Sequence, residues 1–432
     1  MVAAPKVQRT GDSWALAWEE QSVGMGFEYL KEVSDGLKAE VTVESGVAGR
    51  VLGPVSLNLL SSRSQTEFAN RCAKRVNSLP ADMWDAIVVS ACAVVARQFR
   101  APSPTIKLNT VSNLGPVEFL DRTGLIPLGE TTFIYGDGES LKSMMAMRIA
   151  ISVTLGLPLP WGPIPTRKMK VLLCDWETND HTQALRLQRL CLGIDEVQEV
   201  PEVLYRGTLR DRQSPPLRYL EDEVPSLREQ IQREEIGLVL IDSLSFAVRG
   251  KLVDDDVARQ AIFDLRQLSP ATRLVVAHIS KESAEKPGGR VDPFGSRFFR
   301  NGLRSGFEMR KTEEQTVSHE VDLGIYQHKN NDMDHVKPFG LRASFDGTDG
   351  PITFSPLDLH QNHDLLARTP LSQRIRDLLK HGDMTVEALA DELDAKEGSI
   401  RNTLRRMPDT TQLNPGGGAG KRTTWGLSAQ LV

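Results

Sequence analysis

Residues 128–143 hold the sequence feature that most restricts what this chain can fold into. They read LGETTFIYGDGESLKS, in which an apolar, strand-forming segment is followed by a turn rich in glycine and then by Lys142 and Ser143. The apolar run Met144–Met147 comes next and is typical of the start of a helix. This order predicts a strand, a loop and a helix in direct succession, with the loop at the carboxyl end of the strand.

A loop in that position is suited to bind phosphate groups. Backbone N–H groups and the start of the helix converge on phosphate oxygens, a lysine supplies positive charge, and a serine hydroxyl ligates Mg²⁺. These are the parts of a P-loop, and they predict ATP and Mg²⁺ as cofactors. Leu141 stands where the P-loop motif has glycine. An ordinary turn between a strand and a helix is therefore the alternative interpretation.

Composition is that of a soluble globular protein with room for more than one domain. The chain has 432 residues, of which 40% are apolar and 25% charged, and no apolar run is long enough to span a bilayer. The first residues lack a secretory apolar region, so we expect a cytoplasmic protein with no membrane partner. The four cysteines show no metal-binding spacing. Because the net charge is −5, a nucleic-acid partner requires local basic patches.

From residue 125 onward, short apolar runs alternate with helical patterns, which is typical of a parallel sheet with crossover helices. VLLCDWE ends at Glu177, GLVLID ends at Asp242 in the form of a Walker B element, and RLVVAH ends at His278. Polar side chains at the carboxyl ends of parallel strands face one crevice, so we expect these three to lie near Lys142. A capping aspartate and a hydrogen-bonded core histidine are the ordinary alternatives.

The segment PFGSRFFRNGLRS places three arginines beside aromatic residues, next to the predicted crevice. Arg297, Arg300 and Arg304 are residues of the type that contacts phosphates or DNA, or that reaches a neighbouring subunit as an arginine finger. Surface salt bridges are the preferred interpretation for Arg297 and Arg300 individually. After this segment, alternating patterns predict antiparallel strands that complete the sheet, near 307–309, 318–327, 337–345 and 352–354.

The regions on either side of the core differ from it in pattern. Residues 1–105 predict an N-terminal accessory α+β region of unassigned role, with strands at 39–43 and 51–60 and helices at 64–79 and 83–100. The core covers 106–357, and 358–369 is a hydrophilic linker.

Residues 370–432 predict three short helices, at 371–379, 386–393 and 399–407, followed by a β-ribbon whose tip is 416–422. This arrangement is typical of a winged helix-turn-helix, although many such modules serve only protein contacts. The third helix carries residue types that contact phosphates and base edges, and the predicted DNA-binding residues are Ser399, Arg401, Asn402, Arg405 and Arg406.

Taken together, the motifs resemble the RecA-like ATPases of the RepA and AAA_25 group, hexameric helicase-like proteins of plasmids, phages and mobile elements. The resemblance covers about 125–308 and is carried by GLIPLGETTFIYGDGESLKS, VLLCDWE, LVLIDSLS, VVAHISK and PFGSRFFRNGLRS. It implies a homo-oligomer, with a hexamer as the expected form. The expected fold class is α/β. The resemblance implies a RecA-like P-loop NTPase core with a mostly parallel twisted sheet, and the sequence patterns on either side add the N-terminal accessory α+β region and the C-terminal winged helix-turn-helix.

The resemblance also implies roles for individual residues. Glu177 is similar in place to the glutamate that activates the attacking water, and His278 to the residue that senses the γ-phosphate. Lys281 and Arg304 are expected to stabilise phosphate charge across a subunit boundary. The catalytic set is Lys142, Glu177, His278 and Arg304, the nucleotide-binding set is Gly136, Asp137, Gly138, Glu139, Ser140, Leu141, Lys142, Ser143 and Asp242, and the metal ligands are Ser143 and Asp242.

The expected function is ATP binding and hydrolysis by a DNA-associated, helicase-like motor or loader, in the replication or maintenance of a plasmid, phage or mobile element. A non-enzymatic DNA-binding regulator whose assembly is controlled by bound ATP is the alternative, because Leu141 departs from the motif. A metabolite kinase is disfavoured, since the sequence shows no substrate lid or acceptor-binding motif.

Overall fold

A computed structural model describes most of the chain, which divides into two compact units, Met1–Pro116 with Val224–Glu234 and Val117–Glu223 with Glu235–Val432. The residues outside the description are 1, 11–12, 47–48, 77–78, 102–104, 113–114, 211–215, 280–296, 313–318, 360–361, 363–364, 367–368, 414–422 and 429–432.

The first unit contains a five-stranded antiparallel sheet in the order β1-β2-β3-β4-β5, followed by two helices, and it also includes the helical residues Val224–Glu234 from later in the chain. Its strands are β1 (Lys6–Thr10), β2 (Ser13–Trp18), β3 (Val23–Val33), β4 (Gly36–Ser45) and β5 (Gly49–Asn58). Its helices are α1 (Ser62–Ala73) and α2 (Ala81–Phe99). The predicted α+β character of this region is therefore present in the structure.

Three of these strands, β1 to β3, lie in residues for which the sequence analysis identified no element. The period-2 signal is nevertheless there, because Trp14, Leu16 and Trp18 are buried while Ala15 and Ala17 between them are exposed. The buried face of the sheet shares one hydrophobic core with residues of α1 and α2. Glycines and acidic residues within β3 obscured this alternation.

The second unit is built on a nine-stranded sheet, described in the order β14-β13-β12-β11-β6-β10-β9-β7-β8. Its strands are β6 (Thr131–Gly136), β7 (Lys170–Asn179), β8 (Leu204–Thr208), β9 (Ile236–Asp242), β10 (Thr272–His278), β11 (Ser305–Lys311), β12 (Glu320–Asn330), β13 (Phe339–Phe345) and β14 (Ile352–Leu357). Strands β11, β6, β10, β9, β7 and β8 run parallel. The predicted α/β fold with a large, mostly parallel sheet is confirmed.

Helices connect the parallel strands, as the crossover pattern predicts. They are α3 (Lys142–Leu155), α4 (Asp180–Leu192), α5 (Leu220–Glu234), α6 (Leu244–Ala247), α7 (Asp255–Gln267) and α8 (Arg297–Gly302). A short 3₁₀ helix, Leu108–Thr110, precedes the sheet. The apolar face of α3 packs with β6, β7, β9 and β10 in one buried cluster, so the helix that follows the predicted P-loop is fixed against the centre of the sheet.

Strand β11 corrects one expectation. We expected the segment near 307–309 to be antiparallel, but β11 is parallel to β6 and antiparallel only to β12. The chain from β10 to β11 includes α8 and is long enough for a crossover connection, whereas β11 to β14 follow one another as hairpins. The carboxyl end of β11 therefore lies at the same edge of the sheet as the loop that follows β6.

The C-terminal module has three helices, α9 (Leu371–Leu379), α10 (Val386–Glu392) and α11 (Glu397–Arg406), and a small sheet in the order β15-β17-β16. The small sheet comprises β15 (Met384–Thr385), β16 (Thr410–Leu413) and β17 (Thr424–Leu427). The buried core of this module includes Ile375, Leu389, Ile400 and Leu404. The predicted wing tip, 416–422, lies outside the described residues.

The segment that leads to this module is anchored to the large sheet at several described residues. Leu359 and Leu365 are buried, and the Tyr326 hydroxyl donates to the Leu365 carbonyl oxygen over 2.5 Å. The Thr312 hydroxyl donates to Asn362 Oδ1 over 3.4 Å. The expected hydrophilic linker is thus bonded, at these positions, to β12 and to the residue that follows β11.

Candidate functional site

The loop between β6 and α3 comprises residues 137–141, and glycine is required at the position just before it. A Cβ atom on Gly136 would lie 2.1 Å from the Met309 carbonyl oxygen of β11, which is far inside van der Waals contact. At Gly138, in contrast, a Cβ atom would meet nothing within 4 Å. Gly136 is therefore fixed by the close approach of β11, a contact that the sequence could not reveal.

Leu141 adopts the backbone conformation that glycine adopts most easily. Its φ of 59° and ψ of 22° are left-handed, and it is the residue that precedes the first turn of α3. A side chain in this region costs about 1–2 kcal/mol relative to the right-handed conformation. The leucine side chain is partly buried against the main apolar cluster, which offsets part of that cost. The chain thus keeps the loop geometry of the motif without its glycine.

The amino group of Lys142 is enclosed by its own loop. Nζ donates to the carbonyl oxygen of Gly136 over 3.1 Å, to that of Asp137 over 2.5 Å and to Ser140 Oγ over 3.1 Å. The residue is only 4% exposed. Burial lowers the pKa of Lys142 to about 8, against the opposing charges of Asp137, Asp242 and Glu177.

Ser143 and Asp242 come together across two elements that are about 100 residues apart in sequence. The Ser143 hydroxyl, in the first turn of α3, donates to Asp242 Oδ1 at the end of β9 over 3.0 Å. Asp242 is 2% exposed. Burial raises the pKa of Asp242 to about 6, with the bond from Ser143 opposing and the charges of Asp175 and Glu177 adding to the shift. The pair presents a hydroxyl and a carboxylate, which are hard oxygen ligands.

Glu177 lies near the end of β7 with its side chain exposed, on the strand that pairs with β9. Its carboxylate is close enough to act on the pKa of Lys142, of Asp242 and of His278. The backbone N–H of Glu177 donates to Asp175 Oδ1 over 2.8 Å. The structure therefore gathers this carboxylate with the lysine and the aspartate, as the sequence predicted.

His278 is the last residue of β10 and is in register with Gly136 of the neighbouring strand β6. Its ring is half-buried. Burial and the positive charge of Lys142 lower the pKa of His278, with Glu177 opposing. The imidazole is accordingly neutral at pH 7, so that one ring nitrogen donates and the other accepts.

Arg304 lies at the opposite edge of the sheet from this group. It precedes β11 at its amino end, with Nε 3.9 Å from Glu130 Oε1 and Nη1 3.8 Å from Asp332 Oδ1. A parallel strand of six or seven residues separates it from the loop after β6, a length of roughly 20 Å. Within one chain the structure does not bring Arg304 to Lys142. Its expected role across a subunit boundary stays a prediction, and Lys281 lies outside the described residues.

The predicted DNA-binding residues all lie on one helix of the C-terminal module. The side chains of α11 that were assigned to DNA are exposed, while Ile400 and Leu404 on its other face are buried. Arg401 forms an ion pair with Glu397 over 2.9 Å, one turn earlier. The exposed set comprises Ser399, Arg401, Asn402, Arg405 and Arg406.

Two features of the site were missed in the sequence. The first is Asp175, two residues before Glu177, which accepts hydrogen bonds from the backbone N–H groups of Glu177 and Thr178. An aspartate at the start of such a turn is typical of an Asx-turn, and this sequence signal could have identified it. Lys311, at the carboxyl end of β11, donates to Glu139 Oε2 of the loop over 3.1 Å. Nothing in the sequence shows that β11 runs beside that loop.

Within the described residues, no group of three or more His, Cys, Asp or Glu side chains could hold a metal ion by itself. In the same part of the chain, no helix combines the length and the apolar character needed to cross a membrane.

Comparison with known protein families agrees with this geometry. Residues 97–284, less than half of the chain, match the family AAA_25, which is described as an AAA domain. Among solved structures, the chain is similar to a KaiC-like protein from the hyperthermophilic archaeon Pyrococcus horikoshii OT3. That match has 11% sequence identity and a TM-score of 0.38, and it covers 56% of this chain and 100% of the other. No curated protein matches the chain.

The class that the fold and the site define is that of the RecA-like P-loop ATPase domains. The family match includes the loop with Lys142 and Ser143, the strand of Glu177 and the strand of Asp242. Within that class, residues 97–284 are similar to the AAA domains of the AAA_25 family.

Proposed function

We propose that this protein binds and hydrolyses ATP and acts with DNA, as a helicase-like motor or loader in the replication or maintenance of a plasmid, phage or mobile element. The observation that carries the ATPase part is the assembly of five side chains from three strands and one helix at one edge of the sheet. They are Lys142, Ser143, Glu177, Asp242 and His278.

The residues at this edge fit a nucleotide with Mg²⁺. Mg²⁺ is commonly held by one or two protein oxygens together with phosphate oxygens, so Ser143 and Asp242 are a sufficient protein share. Lys142 and the N–H groups at the start of α3 are suited to hold phosphates. When bound, Mg²⁺-ATP supplies the phosphoryl group that water attacks.

Three residues of the chain have separate roles in the proposed hydrolysis. Glu177 is exposed, and its carboxylate can orient a water molecule and accept its proton. His278 is neutral at pH 7 and can donate a hydrogen bond toward a phosphate oxygen. The pKa of Lys142, about 8, keeps its amino group mostly charged at pH 7.

DNA association is proposed for the C-terminal module on separate grounds. Three helices and a small three-stranded sheet, with arginines and an asparagine on the exposed face of α11, have the order of a winged helix-turn-helix. Arginine and asparagine are the residue types that recognise phosphates and base edges. We also propose a homo-oligomer, in which Arg304 of one subunit reaches the site of its neighbour.

A second candidate is a regulator that binds ATP without turnover. The observation that favours it is the loop itself, because Leu141 is left-handed and the amino group of Lys142 already has three hydrogen-bond acceptors within the loop. In this case bound ATP would control assembly on DNA. Such a protein would saturate with ATP and release no phosphate.

Phosphate release measured with and without single-stranded DNA separates the two candidates. We expect the protein to hydrolyse ATP with Mg²⁺, faster with DNA, and we expect Lys142→Ala and Glu177→Gln to abolish turnover. Lys170→Ala, an exposed lysine at the amino end of β7, is the matched control and should leave turnover unchanged. Saturable ATP binding without phosphate release would instead support the regulator.

A binding titration tests the DNA proposal on its own. Arg405→Ala combined with Arg406→Ala should lower duplex affinity at least tenfold and reduce the slope of log affinity against log salt by about two. Lys380→Ala, at the end of α9 in the same module, should have little effect because its amino group is paired with Asp377. An unchanged affinity in the double variant would contradict DNA binding through α11.

A further inference from the structure

Asp175 is a buried carboxylate that accepts hydrogen bonds from the turn that carries Glu177 and from the helix behind it, and it also interacts with the Tyr205 hydroxyl of β8. It is 1% exposed. Oδ1 accepts the N–H of Glu177 over 2.8 Å and the N–H of Thr178 over 3.0 Å. Oδ2 accepts the Thr178 hydroxyl over 2.5 Å and Nε2 of Gln183 over 2.9 Å. Four donors therefore satisfy one buried charge, as burial of a carboxylate demands.

Gln183 closes this network from α4. Its side chain is buried, and Nε2 also donates to Thr178 Oγ1 over 3.1 Å. The network ties the end of β7 to the first turns of the helix, so the backbone of residues 177 and 178 cannot rotate without breaking hydrogen bonds to a buried charge. Such a loss costs about 1–3 kcal/mol for each unsatisfied group.

The side chain of Glu177, in contrast, projects from the turn and is exposed. Its direction is consequently determined by the backbone of the turn rather than by packing around its carboxylate. Asp175 is also in register with Asp242 on the adjacent parallel strand, so the turn starts directly beside the metal-ligand candidate. A small rotation here displaces the Glu177 carboxylate by an ångström or more relative to Ser143 and Asp242.

We propose that Asp175 is a positioning residue that fixes the direction of Glu177 toward the attacking water, through the Asx-turn and the bond to Gln183. The role rests on the proposed ATP hydrolysis. It predicts that disturbing the network lowers the rate of the chemical step while ATP binding through Lys142 is retained, because misplacement of a catalytic group by about 1 Å costs on the order of 100-fold in rate.

Two substitutions test the network by reversing one hydrogen bond. In Asp175→Asn the carboxamide oxygen can still accept the N–H groups of Glu177 and Thr178, but its NH₂ faces the NH₂ of Gln183. In the combination with Gln183→Glu the new carboxylate accepts that NH₂, so the bond is restored with its direction reversed. Asp264→Asn is the matched control, because Asp264 is another buried carboxylate that accepts glutamine amides, from Gln260 over 2.8 Å, on α7.

The experiment measures kcat, KM and ATP affinity of the full chain, together with hydrogen exchange of the peptide that contains residues 175–180. Asp175→Asn should lower kcat at least tenfold, keep the Kd for ATP within threefold, and speed amide exchange in that peptide. Adding Gln183→Glu should recover at least half of the lost kcat on a logarithmic scale and slow the exchange again. Asp264→Asn should leave kcat and this exchange unchanged.

Each outcome is decisive. A normal kcat in Asp175→Asn, or a double variant no faster than the single one, overturns the positioning role while leaving ATP hydrolysis intact. A loss of ATP affinity in proportion to kcat assigns Asp175 to general support of the fold and also overturns it. A wild-type chain that binds ATP and releases no phosphate refutes the proposed function itself. If Asp175→Asn does not fold, Gln183→Leu removes one donor from the same network and is subject to the same criteria.

Discussion

Replacing Asp242 with asparagine is expected to stabilise the second unit while removing a proposed ligand for Mg²⁺. The carboxylate is almost fully buried at the end of β9, and the Ser143 hydroxyl is the hydrogen-bond donor described for it. Asparagine keeps an oxygen that can accept this bond and has nearly the same volume. The substitution therefore removes the buried charge and little else.

The magnitude follows from the pKa of Asp242, about 6 in the folded chain against an ordinary value of 3.8. Because the pKa is raised, the folded state binds more protons than the unfolded state between pH 4 and 6, and stability falls as pH rises through that window. Above pH 6 the ionised carboxylate lowers the free energy of unfolding by its full amount, about 3 kcal/mol, since each pKa unit corresponds to about 1.4 kcal/mol. Asp242→Asn should therefore raise the free energy of unfolding by about 3 kcal/mol at pH 7, by about half of that at pH 5, and by almost nothing below pH 4.

Scanning calorimetry measures this gain as a shift in the unfolding transition of the second unit, upward by about 5 °C or more at pH 7. Asp334→Asn, at an exposed position, is the control and should shift it by less than 1 °C. A lower transition temperature of Asp242→Asn at pH 7 would contradict a destabilising buried charge. An increase in transition temperature that is the same at pH 5 as at pH 7 would contradict it as well. Either result would show that the buried charge is compensated in the folded chain.

Three further outcomes are expected. The pKa of Lys142, about 8, predicts that the Kd for ATP rises about tenfold between pH 7 and pH 9, and calorimetric titration showing a constant Kd would contradict it. At Leu141, glycine should be more stable than alanine by about 1 kcal/mol in urea unfolding, because the residue is left-handed; the opposite order would argue against that conformation. In the first unit, Trp84→Phe should cost about 1 kcal/mol less than Trp14→Phe, because Nε1 of Trp84 has no partner among the described residues whereas Nε1 of Trp14 donates to Gln98; equal losses of unfolding free energy would contradict this.

Much of the large sheet could be predicted because its parallel strands are buried on both faces and end in polar residues. Runs such as LVLID and RLVVAH contain continuous apolar residues and end in a polar residue, so the sequence predicts both the strands and the positions of their carboxyl ends. Because the carboxyl ends of parallel strands face one crevice, the sequence predicts that Glu177, Asp242 and His278 lie near Lys142.

The parts that could not be predicted depend on contacts between distant segments. Gly136 is fixed by Met309, and Glu139 is paired with Lys311, because β11 runs parallel beside β6, which local pattern does not encode. The strands of residues 6–33 were missed for a different reason. In β2 and in the first half of β3, the positions between the buried residues carry alanine and glycine, so the contrast between the two faces is weak in sequence although it is clear in space. Lys6–Arg9 of β1 are exposed, so this strand carries no period-2 apolar signal.

The central claim is that the five side chains at the carboxyl edge of the sheet form a hydrolytic ATP site. A single-turnover experiment with labelled ATP and Mg²⁺ tests it most directly, on the wild-type chain and on Glu177→Gln. We expect both proteins to bind ATP with similar affinity, and we expect the wild-type chain to convert it to ADP and phosphate while Glu177→Gln retains it intact. Equal conversion by the two proteins, or intact ATP on the wild-type chain, would contradict the claim.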